Sequence, residues 1–188
     1  RYKNSVVVWM LLIMFKLIFL VGLVLGVSAM PLRAADDAQL SKYLMSFKCQ
    51  YCDLTGADLS KKSLQGSDLM NSNLSDAILA GANLEPRKYE KKVAPTNLES
   101  ANLRRADLSN ANLRDALMSN AYLRETDLSS ISLIGADLRN ANFKDAKLVG
   151  ANLTRANLSG AKVTATQLKG AVLCNTILAD GTTADSGC

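Results

Sequence analysis

A large apolar residue recurs at every fifth position over most of this 188-residue chain. The series runs from Leu54 to Leu84 and, after an interruption, from Leu98 to Leu178. Of its 24 centre positions 21 are leucine, and alanine occupies 15 of the 24 positions that lie two residues earlier. A period of five fits neither an α-helix, at about 3.6 residues per turn, nor a β-strand, at about 2. The pattern predicts a short structural unit that turns the backbone by a fixed angle each time.

The unit can be written A-D/N-L-x-x, as in ANLRRADLSNANLRDA at residues 101–116. It resembles the pentapeptide-repeat family over about three fifths of the chain. The resemblance implies an all-β fold, a right-handed quadrilateral parallel β-helix with one unit on each of four sides. The 24 units then make about six coils. The solenoid is expected over residues 49–188.

In such a coil, the centre residue and the small residue two places before it point inward, because a narrow core admits one large side chain per side. Asp or Asn before the centre suits the corner turn, since these side chains bond nearby backbone. Two positions break the rule. Lys62 and Ile131 stand where a small residue is expected, so we expect either a distorted coil or a Lys62 side chain that reaches outward.

The N-terminal segment 1–34 contains a run of 22 mostly aliphatic residues, Val6–Val27, long enough to cross a bilayer as a helix. We expect a membrane anchor, with Gly22 and Gly26 allowing close helix packing and Lys16 facing a partner or reaching the interface. The alternative is a secretory signal, since the segment has a basic start, an apolar core and a V-S-A end. Either interpretation predicts export of the following domain.

Residues 35–48 predict a short amphipathic capping helix. Leu40, Tyr43, Leu44 and Phe47 recur at helical spacing behind two aspartates that suit an N-cap. We expect its apolar stripe to face the first coil. A helix lying on a membrane surface is the alternative.

The interruption of the repeat predicts a loop near residues 86–94, PRKYEKKVA, which carries a charge of +3. It should leave the solenoid at a corner and rejoin it without breaking the stack. Loops on rigid scaffolds often bind partners, and here a tyrosine stands among cations that could contact an acidic protein or lipid headgroups. The candidate residues are Arg87, Lys88, Tyr89, Lys91 and Lys92. A solvated insertion without a partner is the alternative.

The four cysteines allow three pairings. In a solenoid of the implied kind, Cys49 and Cys52 lie at the start and Cys174 and Cys188 at the end. Bonds between the two ends would require Cα atoms within about 7 Å across several coils. The expected pairs are therefore Cys49 with Cys52 and Cys174 with Cys188, if oxidised. The tail LCNTILADGTTADSGC also resembles the ending of some exported bacterial members of the family.

Cys49 and Cys52 form a C-x-x-C motif, which invites a redox or metal interpretation. No βαβ setting surrounds it, no histidine follows it, and the other cysteines belong at the far end, which disfavours thioredoxin, haem and zinc chemistry. Both residues fall on inward positions of the repeat. We therefore expect a structural cap rather than a redox centre.

Charge and composition narrow the function further. Residues 36–188 carry 18 basic and 17 acidic side chains, a poor balance for binding nucleic acid. The chain has no histidine, and no hydroxyl or carboxylate stands in a catalytic arrangement, so we expect no enzyme activity, cofactor, metal or small-molecule substrate. On the coil surface, we expect charged ladders that pair with one another and a set of outward apolar residues. The ladders are Arg104, Arg124, Lys144 and Arg105, Glu125, Asp145; the apolar set is Leu117, Tyr122, Ile134, Val149, Val172 and Ile177.

These features predict a non-enzymatic, single-pass membrane scaffold or accessory subunit. Its solenoid would lie on the periplasmic or thylakoid-lumenal side and bind protein subunits of a larger membrane complex. The resemblance to exported members of photosynthetic prokaryotes and plastids implies a photosynthetic partner. The alternative is a free periplasmic or lumenal protein, released by signal cleavage, with a thiol-redox or free binding role. Protection of a DNA topoisomerase, known for some family members, is disfavoured by the charge balance and the export segment.

Overall fold

The computed structural model of the chain describes residues 37–89 and 92–188, all within one compact unit, Arg33–Cys188. The helix and strands, in chain order, are α1 (Asp37–Ser46), β1 (Arg87–Tyr89), β2 (Lys92–Ala94), β3 (Leu173–Ile177) and β4 (Thr183–Ser186). The expected anchor, with Lys16, Gly22 and Gly26, lies outside the described residues. Within them, no helix is both long and apolar enough to cross a membrane.

Between α1 and β3 the chain is a four-sided parallel solenoid. Residues 20 apart form parallel bridges in four columns, which begin with the pairs Lys48–Asp68, Asp53–Asn73, Asp58–Ile78 and Ser63–Asn83. Each column is one side of the coil. The five-residue unit is thus one side, as the family resemblance implied.

Backbone hydrogen bonds join each coil to both of its neighbours. The N–H of the centre Leu54 donates to the carbonyl of Asn73 at 2.8 Å, and the N–H of Asn73 donates back to Cys52 at 2.8 Å. The same pair of bonds recurs along the columns. Because a buried backbone polar group without a partner is costly, each coil needs the next one.

Each corner is a tight turn that the sequence encodes. After centre Leu54, the N–H of Ala57 donates to the Leu54 carbonyl at 3.1 Å, while Gly56 has a φ of 68°. A positive φ at this position is the geometry of a type II turn. The residue before the centre fixes the turn, since the Asp53 carboxylate accepts the N–H of Thr55 at 3.1 Å. The expected role of Asp and Asn at corners is confirmed.

The core consists of the centre residues and their small partners. The seven centres before the interruption and the thirteen from Leu98 to Leu158 are all buried. Ile131 is accommodated inside at 1% exposure, whereas the Lys62 side chain is exposed. The backbone at Lys62 keeps its regular bonds to Leu59 and Asn83, so the coil is not distorted there. The charged Lys62 side chain therefore avoids burial in the core by extending into solvent.

The helix α1 closes the N-terminal end. Tyr43 is completely buried, and its hydroxyl donates to Ser67 Oγ at 2.8 Å. Leu40, Leu44 and Phe47 pack half-buried against the core. Burial raises the pKa of Tyr43 to about 12, and the hydrogen bond with Ser67 opposes this only in part. The apolar stripe expected from the sequence thus covers the first coil.

The C-terminal end is irregular. Residues 165–170 form consecutive turns, and the column that begins at Asp58 stops at Lys147 while the others continue. The side-chain amide of Gln167 donates to the carbonyls of Phe143 at 2.6 Å and Ala146 at 3.2 Å. The Ala146 carbonyl is the acceptor that a regular coil would bond with a backbone N–H. The last four centres, Val163, Leu168, Leu173 and Leu178, are accordingly only half-buried.

Strand β4 covers part of this open end. It pairs antiparallel with β3, and Asn175 donates its N–H to the Asp185 carboxylate at 3.0 Å. An unpaired strand edge is a hazard for association, so β4 protects the edge on which it lies.

Candidate interaction surface

The interruption of the repeat is a short antiparallel hairpin. Arg87 pairs with Ala94, Lys88 with Val93 and Tyr89 with Lys92. We call residues 87–94 the basic hairpin; within it, residues 90 and 91, and hence the candidate Lys91, lie outside the described residues. The solenoid continues across it in register, because Asp68 bridges Asn97 as other residues bridge partners 20 positions away. The expected corner insertion is therefore a folded element.

Gly66 makes room for the basic hairpin. A Cβ atom added at Gly66 would lie 2.6 Å from the Arg87 Cβ and 3.1 Å from the Ala94 carbonyl oxygen. Its φ of +65° also favours glycine. Any side chain at this position would push the hairpin base away from the solenoid. The hairpin thus lies against the corner one coil nearer to α1.

Arg87 joins the basic hairpin to the N-terminal cap. Its guanidinium carbon lies 5.3 Å from the ring centroid of Phe47 and 5.3 Å from that of Tyr89. Phe47 in turn meets Tyr43 edge to face, at 6.4 Å between ring centroids. Cation–π contacts of this kind contribute about 0.5–1 kcal/mol each at exposed sites. The hairpin base and the cap therefore form one packed unit.

The outer part of the basic hairpin is exposed. Lys88 and Lys92 are exposed, and so are Tyr89 at 52% and Val93 at 62%. Residues 86–94 carry four basic and one acidic side chain, whereas the rest of residues 36–188 carries 14 basic and 16 acidic ones. The positive excess of the domain is therefore concentrated here.

The cysteines lie at disulfide distance in two pairs, one at each end. The Cα atoms of Cys49 and Cys52 are 5.4 Å apart, and those of Cys174 and Cys188 are 4.8 Å apart. Cys49 is 3% exposed, in the inward position that the repeat assigns to it. Ser72 donates its hydroxyl to the Cys49 carbonyl, which ties this first side to the next coil. The second pair holds the chain end beyond β4 to the last coil.

One corner of the solenoid carries the charged ladders. Arg105 forms two bonds of 2.6 Å to the Asp76 carboxylate, and Glu125 accepts contacts from Arg104 at 3.4 Å and Arg124 at 3.0 Å. The hydrogen bonds from Arg105 hold the pKa of Asp76 below its usual value. These side chains are 31–46% exposed, so solvent still screens each pair and each contributes little to stability. The ladders pair with one another, as expected.

The outward apolar residues do not form one group. Tyr122 is 56% exposed and Val149 is 68% exposed, whereas Leu117, Ile134, Val172 and Ile177 are only half-exposed. An open depression of about 730 Å³ lies beside Gln167, between Lys144 and Lys162. Among the described residues, no group of His, Cys, Asp or Glu could hold a metal ion. The basic hairpin remains the most distinctive feature of the surface.

Sequence reasoning missed three features of this surface. It did not find the stacking of Arg87 between Phe47 and Tyr89, the clearance at Gly66, or the amide of Gln167 at the open end. The sequence does contain a weak signal for a hairpin, because two short segments, RKY at 87–89 and KVA at 92–94, are separated by only two residues. Contacts between residues 40 positions apart leave no local pattern.

The chain is similar to known proteins in both sequence and structure. The pentapeptide repeats model matches in eight copies, over residues 48–85, 96–129, 116–155 and 136–175. No curated protein sequence matches the chain. Among crystal structures, the pentapeptide repeat protein Rfr23 from the cyanobacterium Cyanothece 51142 has 26% identity and a TM-score of 0.61, over 72% of this chain and 97% of that one.

A pentapeptide repeat protein from the thylakoid lumen of Arabidopsis thaliana has 29% identity and a TM-score of 0.51, over 77% of this chain and 86% of its own. The family match covers both stretches of the solenoid, before and after the basic hairpin. Proteins of this kind fold as right-handed β-helices, in agreement with the coil described above. The chain is thus an all-β, right-handed solenoid and belongs to the pentapeptide repeat family.

Proposed function

We propose that the protein is a non-enzymatic scaffold that is anchored in a membrane and organises protein subunits of a larger complex through its solenoid. The observation that carries the proposal is a rigid, regularly hydrogen-bonded solenoid that presents a corner with small, uncharged side chains at Ala80, Ser109 and Ser129, together with the exposed basic hairpin. A folded projection on a rigid repeat scaffold is typical of binding sites. Pentapeptide repeat proteins in general are structural or protein-interaction proteins.

The sequence and one neighbour support the proposed location. The Val6–Val27 run supports a single-pass anchor, and cysteine pairs at disulfide distance favour an oxidising compartment. The Arabidopsis neighbour comes from the thylakoid lumen. We therefore place the solenoid on the lumenal or periplasmic side, with a photosynthetic membrane complex as the proposed partner.

The solenoid offers two different corners to a protein partner. The corner with Asp76, Arg105 and Glu125 is covered by ion pairs within the solenoid itself. The next corner carries small or apolar residues directly after five of its centres: Ser60, Ala80, Ser109, Ser129 and Val149. Its lysines, Lys61 and Lys169, lie in the first and last coils, and we call its part from Ala80 to Gly150 the uncharged corner. Interface centres are depleted in charge. We propose that subunits pack on the uncharged corner.

Mild detergent extraction from the native membrane, followed by identification of what co-purifies, tests the scaffold. We expect the full chain in an assembly larger than its own mass. Replacing Ser109 and Ser129 by Arg on the uncharged corner should release it. The matched control, Arg104→Ser with Arg124→Ser on the charged corner, should leave the assembly intact. A chain that migrates alone at its own mass would contradict the proposal.

A second candidate is a free lumenal or periplasmic protein with a binding or thiol-redox role. The V-S-A sequence at residues 27–29, at which a signal peptidase could cut, favours it. N-terminal sequencing of the native protein separates the two. A terminus near Met30 supports release, and retention of Val6–Val27 supports the anchor.

A further inference from the structure

We infer that the basic hairpin binds the anionic headgroups of a lipid bilayer and so sets the orientation of the solenoid against the membrane. The inference rests on the proposed membrane location and names a ligand class for the basic hairpin. Four observations carry it: unpaired charge, neighbouring apolar side chains, a fixed base and the position along the chain.

Lys88 and Lys92, the described lysines of the basic hairpin, are available to an external anion. Among the described residues, neither Lys88 nor Lys92 takes part in an ion pair, and both are exposed. The arginines of the charged corner differ, since Arg104, Arg105 and Arg124 each contact a carboxylate of the solenoid. Lysines near an anionic leaflet gain about 1 kcal/mol each, which is about fivefold in an equilibrium constant.

Apolar side chains stand beside these lysines. Tyr89 pairs with Lys92 and Val93 with Lys88 across the hairpin, and the two apolar side chains are 52% and 62% exposed. Amphipathic aromatic rings together with lysine and aliphatic groups are typical of elements that lie in the membrane interface. An acidic protein partner would require a contact of about 20–30 residues per side, which eight hairpin residues do not supply. This combination favours a lipid surface over an acidic protein.

The base of the basic hairpin is fixed before it binds. Arg87 is stacked between Phe47 and Tyr89, and the clearance at Gly66 lets the base lie against the solenoid. A fixed element loses less conformational entropy on binding than a loose loop. By the hairpin register Lys88 lies on one face and Lys92 on the other, so the two lysines flank the outer end of an element whose base is fixed relative to the coil.

The position along the chain is also suitable. The basic hairpin contacts the cap formed by α1, which begins at Asp37. Only nine residues, 28–36, separate α1 from the end of the apolar run at Val27. If that run is anchored in a bilayer, nine residues can span at most about 32 Å. Attraction to headgroups acts over only about 8–10 Å at physiological salt, so this short connection matters.

The test uses the full chain with a single tryptophan in the basic hairpin. Trp9 is the only tryptophan, so Trp9→Phe with Tyr89→Trp reports from the hairpin and keeps an aromatic ring beside Arg87. The protein is reconstituted in vesicles of brominated phosphatidylcholine, alone or with an equal part of phosphatidylglycerol. We expect bromine quenching of the hairpin tryptophan with phosphatidylglycerol and little quenching without it.

Charge variants then test the mechanism. Lys88→Gln with Lys92→Gln should lower the docking equilibrium constant about 30-fold. The matched control is Lys162→Gln with Lys169→Gln, two exposed lysines of the last coil, which should change nothing. Thermal unfolding of each variant verifies that it is folded.

Several outcomes would overturn the inference. Equal quenching of the hairpin tryptophan in both kinds of vesicle excludes headgroup charge as the cause, and absence of quenching in both kinds excludes docking. A third outcome combines two results: the Lys88/Lys92 variant loses proteins that co-purify with the unmodified chain, and the hairpin tryptophan is not quenched in either kind of vesicle. That outcome would identify an acidic protein, not lipid, as the ligand of the basic hairpin. Failure of the scaffold proposal is seen separately, as a chain that extracts alone but is still quenched in phosphatidylglycerol vesicles.

Discussion

The two ends of the solenoid are closed by different physical means. At the N-terminal end, α1 buries Tyr43 completely and lays three more apolar side chains over the first coil. At the C-terminal end, β4 pairs with β3, Gln167 bonds two backbone carbonyls, and the last four centres stay half-buried. Each end also has a cysteine pair, but the pair at the C-terminal end closes a much longer stretch of chain. The first end therefore depends mainly on apolar packing, and the second on hydrogen bonds and its cysteine pair. Because neighbouring coils stabilise one another, damage at one end should remain local to it.

The largest effect is expected from the N-terminal end. Tyr43→Ala removes a fully buried ring and should lower the free energy of unfolding by about 3–5 kcal/mol. Hydrogen exchange should rise in residues 48–68 and remain slow near Leu158. Met45→Ala, at an exposed position of the same helix, is the control. Equal loss of protection at both ends would show that the ends are not independent.

Removal of each cysteine pair should show how far each end of the solenoid depends on its covalent link. Cys174 and Cys188 are 14 positions apart, so Cys174→Ser with Cys188→Ser should cost about 3 kcal/mol in the loop-closure model. Cys49 and Cys52 are 3 positions apart, and the same change there should cost about 2 kcal/mol. Denaturant unfolding of the two double variants measures the difference. A larger cost at the N-terminal end would contradict a covalently dependent C-terminal cap.

Alkaline pH should weaken the N-terminal end alone. The pKa of Tyr43 is raised to about 12 in the folded state, so the folded protein holds this proton more tightly than the unfolded chain. Its contribution is complete below pH 10 and is lost between about pH 10 and 12, amounting to roughly 2–3 kcal/mol. Circular dichroism against Tyr43→Phe measures it, since the phenylalanine variant lacks this proton. Identical alkaline profiles of the two proteins would refute the assignment.

The smallest effect is expected at Gln167. In Gln167→Glu, a carboxylate cannot donate to the carbonyls of Phe143 and Ala146, which should cost about 1–2 kcal/mol. Asn110→Asp, the same amide-to-carboxylate change at an exposed regular corner, is the control. Thermal unfolding and exchange rates near residues 146–170 report the result. No difference between the two variants would show that the amide is not needed to close this end.

Most of the coil could be predicted from the sequence because the five-residue unit is a local code. Leu59 and its small partner Ala57 point inward, and Asp58 fixes the turn that follows, for reasons contained within a few residues. The exposed Lys62 was also foreseeable, since a buried cation without a partner is costly. The positions of the cysteines at the two ends of the repeat also predicted the pairing of Cys49 with Cys52, and the structure places these two residues at disulfide distance.

The end of the repeat could not be predicted in the same way. Val163 and Leu168 still satisfy the pattern, yet both are only half-buried. Whether such a residue is buried depends on a further coil that would lie on it, and β4 covers only part of this end. The stacking of Phe47, Arg87 and Tyr89 likewise depends on which residues the fold brings together, not on a local sequence signal.

The bridge between Asp68 and Asn97 has a consequence for how such proteins change over time. Asp68 pairs with Asn97 as though the nine additional residues between them were absent. The stacking of the coils therefore does not depend on which segment is inserted at this corner, provided that Gly66 leaves space beside it. Insertions with different binding specificity can replace one another there while the solenoid keeps its structure.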